Sequence, residues 1–146
     1  MNASVNGTEY IDYSLSKDEI VRGFNKFKEV LDNSVKYKSV FFKAFVNFTI
    51  FDESENRPPS GNVKVGFLVS KKNVNKATQR NKIKRLFREL YRKRKYRLSD
   101  LKKNVNIIFS FRKEGQKKIF QEDKFNFIEF SSDFDELLTK ILQAKN

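Results

Sequence analysis

The part of the sequence that most constrains the fold covers residues 63–111, where two strand-like segments flank a long helical one. Residues 63–70 and residues 104–111 both place apolar side chains at every second position, which is typical of β-strands. Residues 77–96 between them have apolar side chains at helical spacing, namely Ile83, Leu86, Phe87, Leu90 and Tyr91. A connection of this length can join two parallel strands, so the pattern predicts a helical crossover.

The amino-terminal part of the sequence predicts one more helix and one more strand. A helix is expected from Ser16, which with Glu19 resembles a capping box, and should end near Asn33. Residues 39–51 again alternate with a period of two. Their predicted core face comprises Phe42, Ala44, Val46, Phe48 and Ile50, whereas Phe41, Lys43, Phe45, Asn47 and Thr49 lie opposite.

The remaining segments complete the expected order of elements. Residues 52–62 contain both prolines and a glycine, and predict a loop between two antiparallel strands. Residues 125–130 indicate a weak strand. Residues 131–144 predict an amphipathic closing helix, with Asp133 and Glu136 as its capping box. The predicted class is therefore α+β, with helices packed on a roughly four-stranded mixed sheet in a single-domain sandwich whose crossover carries the basic helix.

The positive charge of the chain is concentrated in one segment. The whole chain has 31 basic and 18 acidic residues, a net charge of +13. Residues 71–103 contain 15 basic residues and two acids, which also gives +13, so the rest of the chain is balanced. Charge segregated in this way favours a polyanionic partner.

Arginine makes a nucleic acid the favoured polyanion. Six of the nine arginines fall within residues 80–97. Guanidinium binds phosphate through a planar fork and stacks on bases, whereas solubility alone requires no such choice over lysine. Arg92 to Arg97 remain open to a second interpretation, because cations at the end of a helix also stabilise it.

Missing residue types exclude several functions. The chain contains no cysteine and no histidine, so thiolate chemistry, zinc knuckles and histidine-dependent nuclease chemistry are excluded. The sequence shows neither a signal peptide nor an apolar span of membrane length, and we expect a cytoplasmic protein with no membrane partner. The acids Asp133, Asp135 and Glu136 are interpreted as helix-start residues, and we expect no metal site in the protein.

The strand and the basic helix carry one motif, "KVGFLVSKK" followed by "ATQRNKIKRLFRELYR". This motif resembles the signature of the protein subunit of bacterial ribonuclease P, with many identities at fixed spacing. The family often has arginine at the position of Lys82, and a glycine soon after the Ser-Lys-Lys turn, where this chain has Val74 and Asn75. On this resemblance, residues 14–111 form the family-like body. Residues 1–13 are expected to be a loose amino-terminal leader of the protein chain, and residues 112–146 a carboxy-terminal extension.

The resemblance implies a subunit that assists a catalytic RNA. In that family the RNA hydrolyses precursor tRNA to leave a 5′-phosphate, using Mg²⁺ held mainly by RNA phosphates. The implied partners are the catalytic ribonuclease P RNA and precursor tRNA, with no DNA, and no catalytic residue is expected in the protein. The family positions implied in RNA binding are Lys71, Lys72, Arg80, Asn81, Lys82, Lys84, Arg85 and Arg88.

The resemblance also implies a cleft for the single-stranded 5′ leader of precursor tRNA, between the first helix and the exposed face of the sheet. The implied cleft residues are Phe27, Leu31, Phe41, Lys43 and Phe45. Single strands bind where aromatic rings lie in a positive groove. Burial in a core is an equally open interpretation of Phe27 and Phe45, because phenylalanine at helical or strand spacing is usually buried.

Three other functions fit parts of the sequence. A non-enzymatic RNA-binding module, of the ribosomal or RNA-chaperone type, would have the same charge pattern. A helix-turn-helix DNA reader needs a short turn between two helices, and the strand predicted directly before the basic helix argues against it. A self-sufficient protein nuclease is the least favoured, and cleavage by the chain alone would be its test.

Overall fold

The computed structural model describes residues 15, 19–49, 63–70, 74–98, 104–120 and 127–144. The elements in these ranges are α1 (Phe24–Asp32), β1 (Val35–Lys38), β2 (Phe42–Thr49), β3 (Val63–Leu68), α2 (Ala77–Arg92), a short 3-10 helix (Lys95–Leu98), β4 (Asn104–Phe111), α3 (Lys113–Phe120) and α4 (Phe127–Ala144). They form the predicted α+β fold with a four-stranded mixed sheet. A membrane-spanning helix would need more apolar length than any helix in these ranges has.

The sheet has the strand order β1-β2-β4-β3. β4 pairs antiparallel with β2, where Phe42 is opposite Phe111, and parallel with β3, where Phe67 is opposite Phe109. The predicted parallel crossover from β3 through α2 to β4 is therefore confirmed. β2 and β3 do run in opposite directions, but β4 lies between them, and the predicted loop over residues 52–62 is outside the described residues.

The larger hydrophobic cluster, called the main core here, lies between one face of the sheet and helices α2 and α4. Its sheet residues include Phe42, Ala44, Val46, Val65, Phe67, Val105, Ile107, Phe109 and Phe111, and its helix residues include Ile83, Phe87, Leu90, Tyr91, Phe130, Phe134, Leu137, Leu138 and Ile141. Phe42 is central, with ring centroids 5.5 Å from Phe87, 4.9 Å from Phe111 and 5.4 Å from Phe134. The apolar stripe predicted for the basic helix thus packs as expected.

Helix α1 covers the opposite face of the sheet, but it begins later than the sequence indicated. The predicted start at Ser16 is outside the described residues, and Ile20 forms a parallel bridge with Val65 instead of a helical turn. The Val21 amide donates to the Val65 carbonyl at 2.7 Å, so the chain is extended here. Gly23 then takes φ +90°, a conformation that favours glycine, and the helix starts at the next residue. The predicted end near Asn33 is confirmed.

The segment predicted as one strand over residues 39–51 is part of a hairpin. β1 was not predicted, and its pairing places Val35 opposite Val46 and Lys38 opposite Lys43. The regular strand begins at Phe42, and the three residues before it form the turn between β1 and β2.

Asp133 of α4 holds that turn. The prediction of Asp133 and Glu136 as a capping box is wrong, because α4 begins six residues earlier and replaces the weak strand expected there. Phe130 and Phe134 recur at helical spacing and are both buried, which explains why this segment is helical. The buried Asp133 carboxylate accepts hydrogen bonds from Ser39 Oγ at 2.7 Å and from the amides of Val40 at 3.0 Å and Phe41 at 2.8 Å.

We predict that Asp133→Ala lowers the free energy of unfolding by about 3 kcal/mol, because the substitution leaves buried donors without their charged acceptor. Urea denaturation followed by circular dichroism would measure the change. Glu136→Ala, at an exposed position of the same helix, is the matched control and should change the free energy of unfolding by less than about 0.5 kcal/mol. Equal losses for the two variants would contradict the assigned role of Asp133.

Candidate nucleic-acid interface

The outer surface of α2 presents a group of polar and cationic side chains that we call the basic face. Packing of Ile83, Phe87 and Leu90 into the main core fixes the rotation of the helix. The basic face consists of Asn81, Lys82, Lys84, Arg85 and Arg88, of which Lys84 is half-buried and the other four are exposed. All five positions were predicted to bind RNA, and the structure brings them together on one rigid helix.

The cations of the basic face form no ion pair with any acidic side chain in the described ranges. The one acid of α2, Glu89, is bound to two cations of the last turn, with Arg92 Nη2 at 2.9 Å and Lys93 Nζ at 3.3 Å. The hydrogen bond from Arg92 is the main reason why the pKa of Glu89 lies below its ordinary value. Glu89 therefore neutralises charge beyond the basic face and leaves the face itself cationic.

The next three basic residues after Lys93 bind acids elsewhere in the fold. Arg94 Nε is 2.7 Å from Asp135 Oδ1 of α4, and Arg97 Nη1 is 3.3 Å from the same oxygen. Lys95 Nζ lies 3.1 Å from Glu19. The charged groups of Arg94, Lys95 and Arg97 are therefore engaged within the chain, an arrangement that neither interpretation of Arg92 to Arg97 anticipated. The partners Asp135 and Glu19 are distant in sequence, and sequence reasoning missed them.

Arg80 fastens the turn that leads into α2. Its Nη1 donates to the carbonyl oxygens of Val74 and Asn75, both at 2.9 Å. Val74 is itself buried in the main core. Members of the family often have a glycine near this position of the sequence. Arg80 was predicted to bind RNA, and its Nη1 is thus already bonded to two backbone carbonyl oxygens of the chain. The predicted positions Lys71 and Lys72 lie outside the described residues.

A second candidate surface lies where α1 meets the other face of the sheet, and we call it the cleft. Val21, Val30 and Ile108 are buried there, and Phe27, Leu31, Phe45 and Leu68 pack around them while remaining partly exposed. Phe27 lies directly on β3, because a Cβ atom on Gly66 would come within 2.6 Å of the Phe27 ring. Glycine at this position lets the aromatic ring approach the backbone.

Phe45 lies beside two cations of the hairpin. Lys36 Nζ is 5.3 Å and Lys43 Nζ is 5.7 Å from the centre of its ring, both within the range of a cation–π contact. Partial burial lowers the pKa of Lys43, and the positive charges of Lys36, Lys38 and Arg112 lower it further. The structure therefore places an aromatic ring, partly exposed, in a cationic setting.

Phe41 does not belong to the cleft. It was expected to lie beside Phe45, but its ring is buried in the main core, 4.8 Å from the ring of Phe130. The turn held by Asp133 breaks the strand alternation before Phe42 and directs Phe41 inward. Of the five predicted cleft residues, the structure thus brings together Phe27, Leu31, Lys43 and Phe45, but not Phe41.

Comparison with known proteins gives one consistent family. The family model described as Ribonuclease P matches residues 15–141. A ribonuclease P protein component of Chlorobium phaeobacteroides is 39% identical over 88 residues, which cover 60% of this chain and 58% of that protein. A ribonuclease P protein component of Nitrosomonas eutropha is 28% identical over 115 residues, which cover 79% of this chain and 88% of that protein.

Solved structures show the same fold. The RNase P protein from Thermotoga maritima has a TM-score of 0.60 at 22% identity, covering 78% of this chain and 89% of that chain. The RNase P protein of Staphylococcus aureus has a TM-score of 0.61 at 19% identity, covering 89% of this chain and all of the other. Because the family model extends over most of the sequence, including the cleft and the basic face, the chain belongs to the ribonuclease P protein family.

Proposed function

We propose that this protein is the protein subunit of a ribonuclease P ribonucleoprotein that removes the 5′ leader of precursor tRNA. In this proposal the basic face of α2 binds the catalytic RNA, and the cleft binds the leader. The RNA carries out the hydrolysis with Mg²⁺ held mainly by its own phosphates. The observation that carries the proposal is the cationic surface of α2, which forms no ion pair with the acids that the structure describes, in a chain of this family.

The basic face has the properties that binding to an RNA backbone requires. Arg85 and Arg88 are exposed, and guanidinium groups can hold phosphate oxygens in pairs. The helix that carries them is fixed by its buried side, so the spacing of the cations does not depend on a loop. Contacts of this kind position a protein on RNA without reading its sequence. Folded catalytic RNA offers the required array of phosphates.

The cleft has the properties expected of a site for unpaired nucleotides. Phe45 offers a partly exposed ring next to Lys36 and Lys43, so a base can stack while its phosphates meet positive charge. Phe27 lies across the cleft floor on Gly66. Leu31 can add apolar contact but no stacking surface. A single-stranded leader fits this combination better than a duplex, whose bases are already stacked.

The proposed division of labour assigns no proton transfer to the protein. The chain lacks histidine and cysteine, which most often serve as protein general bases or metal ligands. Within the described ranges no three acidic side chains are grouped as a metal site would require. Metal ions bound to RNA phosphates can activate water and stabilise the leaving oxygen without a protein ligand. The protein residues then bind and orient the two RNAs.

Leader removal provides the direct test of the proposed function. We predict that the chain and bacterial ribonuclease P RNA together cleave precursor tRNA faster at low Mg²⁺ than the RNA alone, because the protein adds cations that otherwise come from salt. The measurement is the rate of leader release on a denaturing gel. If the chain leaves the rate of the RNA unchanged, the proposal fails, and an RNA-binding module of another kind becomes the better explanation. Cleavage by the chain alone would indicate a protein nuclease.

We predict that Arg85→Gln with Arg88→Gln weakens binding of the catalytic RNA about tenfold at 50 mM salt, because about two phosphate contacts are lost. The slope of log affinity against log salt should become shallower by about 1.8. Filter binding at several salt concentrations would measure both quantities. The free energy of unfolding should change by less than about 0.5 kcal/mol, because both side chains are exposed.

Arg94→Gln with Arg97→Gln is the matched control, since it removes the same charge from the same segment. This variant should lower the free energy of unfolding by about 1–2 kcal/mol, because it breaks partly buried pairs with Asp135, and it should leave the salt slope unchanged. Equal salt slopes for the two double variants would contradict the assignment of the basic face.

We predict that Phe45→Leu weakens holoenzyme binding to precursor tRNA about tenfold, because one stacked base loses its aromatic partner. Binding of mature tRNA, which has no leader, should be unchanged. Phe48→Leu makes the same change on the same strand but toward the main core, and it should affect stability without distinguishing the two tRNAs. A loss of the same size for both tRNAs in the Phe45 variant would exclude a leader role for the cleft.

A further inference from the structure

Two exposed aromatic rings lie near one lysine where the end of α2 meets the start of α4, and we call these three residues the aromatic site. They are Lys93, Tyr96 and Phe127. Tyr96 is 60% exposed and Phe127 is 37% exposed. None of the three belongs to the basic face, to the cleft or to the motif that carries the family resemblance, which ends at Arg92. The family resemblance therefore does not account for the aromatic site.

The first turn of α4 places Phe127 beside the end of α2. Lys93 Nζ is 5.9 Å from the centre of the Phe127 ring, which is within the range of a cation–π contact. Phe130, one turn later, is fully buried in the main core, and Glu129 Oε1 lies 2.7 Å from Lys118 Nζ of α3. These contacts fix the rotation of α4 at its start, so the Phe127 ring stays next to Lys93.

Lys93 is held from the other side by Glu89. Its Nζ is 3.3 Å from Glu89 Oε1, an oxygen that also accepts a hydrogen bond from Arg92 at 2.9 Å. The ammonium group thus lies between a carboxylate and an aromatic ring, although the lysine side chain remains exposed. A long side chain that is already held in place loses less entropy when a ligand binds beside it.

Tyr96 lies on the same side of the chain as Lys93. The chain continues beyond α2 in 3-10 geometry, in which the Arg97 amide donates to the Arg94 carbonyl at 3.0 Å. Side chains three residues apart are aligned in this geometry. Arg94 and Arg97 show the alignment directly, because both contact Asp135 Oδ1. Lys93 and Tyr96 have the same spacing one residue earlier, which brings the second ring to the lysine that contacts Phe127.

The aromatic site continues the basic face along the helix axis. Arg88 and Lys93 are five residues apart, or about 7.5 Å along α2. Residues 71–103 carry a net charge of +13, so the rings lie in a strongly cationic setting. Exposed rings in such a setting bind unpaired nucleobases, whereas an apolar protein segment gains nothing from the charge. Folded RNA presents unpaired nucleotides, and a duplex does not.

We propose that the aromatic site binds one unpaired nucleobase of the catalytic RNA, next to the phosphates held by the basic face. This inference rests on the proposed function and adds a stacking site to it. The base packs against the rings of Tyr96 and Phe127, while Lys93 faces the adjoining phosphate. Stacking then contributes affinity that does not depend on salt, in addition to the salt-dependent contacts of the basic face.

The test removes both rings and retains apolar side chains, with Tyr96→Leu and Phe127→Leu in one chain. Binding to the ribonuclease P RNA of the same organism should weaken about tenfold at 50 mM salt, because one base loses its stacking partners. The slope of log affinity against log salt should equal that of the wild type, since no cation is removed. Filter binding at several salt concentrations measures both quantities.

Acylation of RNA 2′-hydroxyl groups at saturating protein provides a second readout, because it reports nucleotides that are flexible. A small number of unpaired nucleotides should lose reactivity when the wild-type chain binds, and they should stay reactive with the leucine variant. The rest of the reactivity pattern should be the same for the two proteins. This local difference separates stacking from a general loss of affinity.

Two further variants act as controls. Phe24→Leu removes a ring that is 80% exposed on α1, and it should change neither the affinity nor the reactivity pattern. Tyr96→Phe with Phe127→Tyr keeps both rings and should also behave as the wild type. The midpoint of thermal unfolding should shift by less than about 2 °C in each variant. A leucine variant that is less stable than this is replaced by Tyr96→Leu alone, at the more exposed position.

The outcomes separate the stacking site from the function on which it rests. A leucine variant that binds the RNA as tightly as the wild type, or that protects the same nucleotides, overturns the proposal and leaves the proposed function intact. Sedimentation that shows self-association of the wild-type chain, lost in the leucine variant, also overturns it, because the rings would then join two copies. If the wild-type chain does not bind the RNA, the proposed function fails and the stacking site fails with it.

Discussion

Burial of β4 on both faces is the constraint on which the rest of the structure depends. Val105, Ile107 and Phe109 enter the main core, while Ile108 is buried under α1 on the other side. Even the polar residues Asn106 and Ser110 of this strand are buried. A strand buried in this way needs neighbours on both edges and helices on both faces. The two candidate RNA surfaces follow from that arrangement, because α2 exposes its outer side on one face and α1 forms the cleft on the other.

The basic segment divides into two parts with different electrostatic roles. Its later part is tied to the fold by acids from other elements, as Arg94 and Arg97 are by Asp135 and Lys95 is by Glu19. Its earlier part, the basic face, has no such partner within the described ranges. Partly buried arginines that form ion pairs with acids stabilise the position of α4 against the end of α2. Exposed arginines without such a pair remain available to an external anion.

Periodicity in the sequence was sufficient to predict the crossover from β3 to β4 and the rotation of α2, because long amphipathic patterns determine both. It failed where a single tertiary contact decides the local structure. Ile20 fits a helical pattern, yet it pairs with Val65, and Phe41 fits strand alternation, yet hydrogen bonds to Asp133 place it in the main core. Asp133 was interpreted as a helix cap because the groups that it binds in the fold are distant in sequence and cannot be recognised from the sequence alone.

The candidate site was predictable to the extent that it depends on one helix. The basic face follows from spacing along α2, and the family resemblance supplied Phe27 and Phe45. The cations around Phe45 come instead from pairing between β1 and β2 and from Arg112 after β4, so they meet only in the folded chain. Alternation of Lys36 and Lys38 in residues 35–38 was the available signal, but four residues are too few to predict a strand.

Like charges on both surfaces connect folding to binding. Lys84 and Arg88 are neighbours at i, i+4 spacing, as are Arg88 and Arg92, and such pairs destabilise an isolated helix. Burial of Ile83, Phe87, Leu90 and Tyr91 offsets that repulsion, so the fold maintains a cationic surface that the helix alone would not favour. An RNA phosphate placed among these cations removes repulsion as well as adding attraction. The same reasoning applies to Lys43 among its cationic neighbours, so binding of an anion and stability of the fold would reinforce each other on both surfaces.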